Sequence, residues 1–251
     1  MSLTPPPWFL RPAVKPAART RLFCFPFAGA GASVFFPWAA HFRDQPVELF
    51  GVQLPGRETR IKEAPFVSLG KLIAALAAAI QPFLDKPFCF FGHSMGTVVS
   101  FELMREMRRR GWPLPNRAIM SGSPPPNVRA FTNVHHLSDD QILAVLSQRY
   151  RELPDGLMGH PGLRELVMPA LRADLEVIET YDCRSEQPFG VPLTVVGGVE
   201  DPSTPRERLV LWREHTSHPL KLLIVPGGHF YLRPPPKALL QTITEDLGIE
   251  S

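Results

Sequence analysis

Little of this chain's charge is uncompensated: 27 Lys and Arg face 24 Asp and Glu, a formal excess of +3. No basic run interleaved with aromatics accompanies that small excess, so nucleic acid is not an expected partner. Long apolar runs are missing too. The longest, Leu72 to Ile80, is alanine-rich and far short of the roughly 18 residues a membrane span needs, and no membrane partner is expected. Met1 to Lys15 carries prolines where a secretory leader has a basic start and an apolar block, so we expect no secretion and a cytoplasmic protein. The three cysteines, Cys24, Cys89 and Cys183, are odd in number and widely spaced. They fit neither a disulfide framework nor a zinc site, and Cys24 and Cys89 lie inside apolar runs that belong in a core.

Proline is what the chain has in excess: 29 among 251 residues, more than twice the usual share of roughly 5%. Pro5, Pro6, Pro7, Pro12 and Pro16 fall in residues 1–18, which are expected to form an extended tail with little to bury. The remainder, 19–251, is 233 residues of a chain that is 44% hydrophobic and 20% charged. That suffices for one large domain with an elaborated loop.

Short apolar runs alternate with helical patterns along this domain. Strands are expected at Arg21 to Phe25, Val47 to Leu54, Phe88 to Phe91, Ala118 to Ser121, Leu193 to Val196 and Leu220 to Val225, most of them closed by Pro or Gly. Between them fall a helix from a Ser68 cap to about Leu84, and another from Val98 to Arg110 that Gly111 ends. Arg108, Arg109 and Arg110 suit the negative end of that helix dipole. This rhythm predicts an α/β fold with a mostly parallel sheet flanked by helices. The stretch from about 125 to 190 has no strand signal. It holds a helix capped by Ser138, with Gln141 three residues on, and a second from about Gly162 to Tyr181. We read it as a helical lid inserted after the sixth strand or so.

Gly92-His93-Ser94-Met95-Gly96 is the sharpest local signal, a G-x-S-x-G run between a buried strand and a helix. The glycines admit a turn too tight for larger side chains, and the turn holds the Ser94 hydroxyl above the sheet edge. The helix that follows points its first amide, Met95, at the place where an oxyanion forms. A serine hydroxyl is a poor nucleophile until a base takes its proton, so a histidine and an acid must follow in chain order. His229 follows the last strand and the Pro226-Gly227-Gly228 turn, which fits. His135, His136 and His160 fall in the lid, His215 and His218 at a helix end and His41 early, while His93 beside the serine is expected to turn its ring to the far side. Asp201 is the preferred acid, with Pro202 fixing its turn, and Glu200 is held in reserve. A second oxyanion amide is expected from Phe27 or Ala28, because Pro26 has no N–H. The Gly29-Ala30-Gly31 turn matches no nucleotide-binding spacing.

With these pieces in place, residues from about Thr20 to Leu247 resemble the type II, or editing, thioesterases of polyketide and nonribosomal peptide biosynthesis, within the α/β-hydrolase superfamily. The motifs are Phe25-Pro26-Phe27-Ala28-Gly29 with Phe36 and Trp38, Gln53-Leu54-Pro55-Gly56-Arg57-Glu58, the Ser94 run, Met168-Pro169-Ala170-Leu171-Arg172-Ala173-Asp174, and Pro226-Gly227-Gly228-His229-Phe230. The resemblance implies hydrolysis of stalled or misprimed acyl groups from the 4′-phosphopantetheine arm of acyl or peptidyl carrier proteins. By it Ser94, Asp201 and His229 match the triad, and Met95 with Phe27 the oxyanion amides. Many integral chain-releasing thioesterases place the acid after the preceding strand, where Ser121-Gly122-Ser123-Pro124-Pro125 offers none; this and the lack of a fused carrier segment favour a stand-alone enzyme.

The chemistry implied calls for no metal and no dissociable cofactor, and a monomer is expected. Leu143, Leu146, Leu163, Leu166, Val167, Leu171 and Leu175 either wall a passage for the arm or simply pack. Arg57 and Arg60 are either contacts for an acidic carrier and the arm's phosphate or solvated loop charges. Two other readings share the sequence features: a carboxylesterase or lipase acting on free esters, and a non-catalytic carrier-binding module.

Overall fold

The computed structural model describes residues 8–128, 133–151, 153 and 161–249. Seven strands form one sheet in the order β1-β3-β2-β4-β5-β6-β7. They are β1 (Phe9–Leu10), β2 (Thr20–Phe25), β3 (Val47–Val52), β4 (Phe88–His93), β5 (Arg117–Ser121), β6 (Leu193–Gly198) and β7 (Lys221–Val225). All neighbours run parallel except β1, which pairs antiparallel with β3 at the edge. The α/β architecture with a mostly parallel sheet is as the sequence predicts.

The inner strands alternate between two cores because side chains alternate across a sheet. Phe23, Phe25, Phe88 and Phe90 face one layer with α1 (Leu69–Ile80) and α2 (Met95–Arg109). Leu22, Cys24, Cys89 and Phe91 face the other, where Trp38, Phe42 and α5 (Lys237–Asp246) close over them. Both strand cysteines are buried, and burial raises their thiol pKa, that of Cys89 to about 12.

Three expectations need correction. Residues 8–18 are not a free tail: Phe9 is buried in the first core, and Trp8 O accepts from Gln53 N at 2.8 Å. A two-residue edge strand is too short to show a period, which is why prolines hid it. Residues 1–7, with Pro5 to Pro7, lie outside the described residues. The lid follows the fifth strand of the seven, not the sixth, as α3 (Asp139–Tyr150) and α4 (Pro161–Glu179). Ser68 is the residue before α1, but its hydroxyl makes no capping bond. Ser138 does cap α3 in a reciprocal box, Gln141 N donating to its Oγ at 3.4 Å and Ser138 N donating to Gln141 Oε1 at 3.0 Å.

Candidate active site

The carboxyl ends of β2, β4, β6 and β7 converge, as the ends of parallel strands do at a ligand site. Between β4 and α2 the chain turns so sharply that a Cβ on Gly96 would sit 2.1 Å from Phe25 O, and one on Gly92 2.4 Å from Gly96 O. Ser94 at that turn has φ 54° and ψ −110°, a strained conformation for a non-glycine residue of the kind that clusters at functional sites. The turn faces the start of α2, with Met95 its first residue.

His229, on the loop after β7, is 2% exposed. Its Nδ1 donates to Asp201 Oδ2 at 2.7 Å, and its Nε2 accepts from Ser94 Oγ at 3.0 Å. Asp201, on the loop after β6, also accepts from Ser203 N and Oγ through Oδ1 and from Thr204 Oγ1 through Oδ2. Burial would raise its pKa, but the hydrogen bond and charge of His229, with the Ser203 bonds, outweigh it and hold the carboxyl below the usual carboxylate range. Glu200 beside it is exposed, so of the two acids only Asp201 is joined to the histidine. His41 bonds Thr244 and His215 bonds Asn127, and His135 pairs with Glu179 inside the lid. His160 lies outside the described residues.

His93 is where the sequence expectation fails. Its ring is not turned away but lies 5.2 Å from that of His229, fully buried, with Nε2 donating to His229 O at 2.9 Å and Nδ1 accepting from Ser121 Oγ at 2.8 Å. The Tyr231 hydroxyl lies 2.5 Å from Ser121 Oγ and continues this chain. Burial, and then the nearby His229 charge, lower the His93 pKa to about 3. Between about pH 6.5 and 3 the unfolded chain then binds a proton at this residue that the folded chain does not. Stability therefore falls as pH drops through that window, by up to about 1.4 kcal/mol per pH unit, and Asp201 adds a loss in the same direction in its lower part. Urea unfolding midpoints of the wild type should decline across this range, and His93→Gln should flatten the decline above pH 4.

The turn from Phe27 to Gly31, the lid and Ser94 enclose a cavity of about 480 Å³. Phe27 and Ala28 both line it, while the amides of Gly29 and Ala30 are engaged by Asp174 and by Phe27 O. Leu146, Leu163, Leu166, Val167, Leu171 and Leu175 line it as well; Leu143 instead packs in the first core. Tyr150, Leu153 and Ile178 join the wall without having been singled out in the sequence.

Arg57 and Arg60 are not solvated loop charges: both are buried, and Arg57 lines the cavity. Arg57 makes a two-pronged bond with Asp174 of α4, at 2.5 and 2.8 Å, and Asp174 Oδ2 also accepts from Gly29 N at 2.8 Å. Arg60 pairs with Glu63 and lies 4.3 Å from the ring centroid of Trp8. Arg108 and Arg109 are tied to Glu186, and Arg110 to Glu106. Among the described residues no three His, Cys, Asp or Glu side chains gather as metal ligands, and no helix is long and apolar enough to cross a membrane.

The Thioesterase domain family profile matches residues 20–247. The chain is 36% identical over 225 residues to the gramicidin S biosynthesis protein GrsT of Aneurinibacillus migulanus, covering 90% of this chain and 88% of that protein. It is 35% identical over 226 residues to the thioesterase PikA5 of Streptomyces venezuelae, covering 90% and 80%. Among solved structures, the type II thioesterase BorB from the borrelidin biosynthetic cluster superposes with a TM-score of 0.85 at 31% identity, over 96% of this chain and 97% of that one.

Proposed function

Since the chain belongs to the thioesterase family, with type II thioesterases of nonribosomal peptide and polyketide pathways as its relatives, we propose that Ser94, His229 and Asp201 are its catalytic triad and that its substrates are acyl groups on carrier proteins. The observation that carries this reading is the unbroken hydrogen-bond chain from Asp201 through His229 to Ser94 at the wall of an apolar cavity.

Each step follows from that geometry. His229 Nε2 takes the hydroxyl proton as Ser94 Oγ attacks the thioester carbonyl, and Asp201 stabilises the imidazolium without accepting the proton. The oxyanion is held by the amide of Met95 and by that of Phe27, with Ala28 as its alternative. On collapse the C–S bond breaks, His229 returns the proton to the departing thiol of the phosphopantetheine arm, and an ester to Ser94 remains. Water then gives a proton to His229 and its oxygen to the carbonyl; the acid leaves and Ser94 recovers its hydrogen. Every bond and proton is handled by this chain and water, so the reaction calls for no metal or dissociable cofactor. One chain supplies the triad, both amides and the cavity, so we take the working unit to be a monomer. Its three cysteines are free, in keeping with a cytoplasmic setting.

The test compares one acyl group on the phosphopantetheine of a carrier protein with the same group as a free oxoester. A clear preference in kcat/KM for the carrier thioester is expected. Preference for the oxoester points to a carboxylesterase or lipase. Carrier binding without turnover of either points to a binding module.

A further inference from the structure

Two clefts meet at Ser94 and His229, and Tyr150, the last residue of α3, lines both. One is the apolar cavity under the lid. The other is polar, with Ser123, Ser203 and Thr204 in its wall, and at about 10 Å³ has room for a single water. Tyr150 stands between them because its ring lies on the imidazole of His229. The ring centroids are 4.1 Å apart and the planes 23° from parallel. Phe230 abuts the same tyrosine edge-on at 5.7 Å.

The other restraints on His229 leave a gap that this stack fills. Asp201 and Ser94 hold the two ring nitrogens, His93 holds the backbone carbonyl, and the rings of His93 and Phe230 meet the imidazole tilted at 5.2 Å and edge-on at 5.0 Å, so neither lies flat on its face. Bonds in the plane of a ring resist sliding well and tilting poorly, whereas a flat aromatic face resists tilting. That face also favours the imidazolium formed during attack, since a cation over an aromatic ring is stabilised by the ring's quadrupole.

We propose that Tyr150 is the lid's positioning residue for His229: it holds the imidazole in the plane of the triad and divides the acyl cavity from the polar cleft, from which water approaches the acyl-enzyme. The proposal rests on the triad assigned above. It makes the lid part of the catalytic apparatus, because the stack exists only while α3 lies over the site.

Tyr150→Phe, Tyr150→Leu and Tyr150→Ala, each in the full chain, test it. The readouts are steady-state hydrolysis of an acyl-carrier thioester, the rate of Ser94 labelling by a fluorophosphonate, and the split of the acyl-enzyme between water and added hydroxylamine. The Phe variant keeps the face and, as the conservative replacement, should retain most of the kcat and labelling rate that the other two lose. The Leu and Ala variants should lose kcat and labelling rate by up to the order of 10²-fold, the cost of a misplaced catalytic group, with KM changed far less and a larger share of acyl groups captured by hydroxylamine. A Leu variant as fast as the Phe variant would show that filling space suffices and overturns the proposal. So does a rise in KM with kcat and labelling intact, which is what a merely packing residue would give. A wild-type protein that labels with the probe yet leaves carrier thioesters intact overturns the proposed substrate class instead, and the labelling rates still decide the role of Tyr150.

Discussion

Ser94→Ala should lower kcat for an acyl-carrier thioester by on the order of 10⁵ to 10⁶-fold, with KM little changed. The only atom lost is the hydroxyl oxygen that would form the ester, and the cavity, the proposed oxyanion amides and the His229–Asp201 bond remain. Intact-protein mass spectrometry should show an acyl adduct on the wild type under single-turnover conditions and none on the variant. Asp201→Asn should cost roughly 10⁴-fold by a different route. An amide at that place donates to Nδ1 rather than accepting from it, which puts the imidazole proton on Nε2 and leaves nothing to receive the proton of Ser94. Glu200→Gln is the control, because Glu200 is exposed and has no bond to His229; its activity should equal that of the wild type. Full activity in Ser94→Ala would sink the catalytic assignment outright.

The three residues proposed as the triad could be picked out because each stands in a local context that such chemistry needs. A serine between glycines, after an apolar run and before a helix, dictates a turn whose geometry is fixed by sterics within five residues. His229 and Asp201 each sit on a loop directly after a strand of the parallel sheet, and parallel strands bring such loops to one edge whatever their separation in sequence. The strand bounds were within a residue or two for the same reason: Phe88, Cys89, Phe90 and Phe91 have no partner in water, so both faces of β4 must be covered.

What the sequence hid is what depends on pairing across distance. Arg57 reads as a loop charge until α4, 117 residues later, brings Asp174 to it. His93 reads as a bystander, since alternation along β4 says only that it faces away from Ser94's neighbours in the strand. It does not say that the carbonyl of His229 and the hydroxyl of Ser121 close around its ring. Tyr150 is one of several lid residues of similar character, and only the fold of the lid over β7's loop selects it. Phe9 in β1 had no signal at all, because a two-residue strand is defined by its neighbour and not by its own pattern.

Breaking the Arg57–Asp174 pair should be the most destabilising single change among the polar residues of the site. Both side chains are about 5% exposed or less, and removing one partner leaves the other's charge buried without compensation, a loss of about 3 to 5 kcal/mol. Urea unfolding of Asp174→Leu and Arg57→Met should each show it. In the double variant no charge is stranded, so much of that stability should return. Activity should not return with it. Asp174 also fixes Gly29 N, Arg57 Nη1 donates to Ala30 O at 3.3 Å, and Gln53 links Ala32 N at 2.9 Å to Arg57 O at 2.8 Å. The turn that carries the proposed second oxyanion amide is thereby pinned to the lid helix and to the loop after β3. With the pins gone that amide is no longer aimed, and kcat should remain down by on the order of 10²-fold, the scale of a lost oxyanion donor, while KM moves little. A double variant that recovers kcat together with stability would reduce the pair to a structural tie. One that recovers stability alone makes it the device by which lid closure aligns the oxyanion hole.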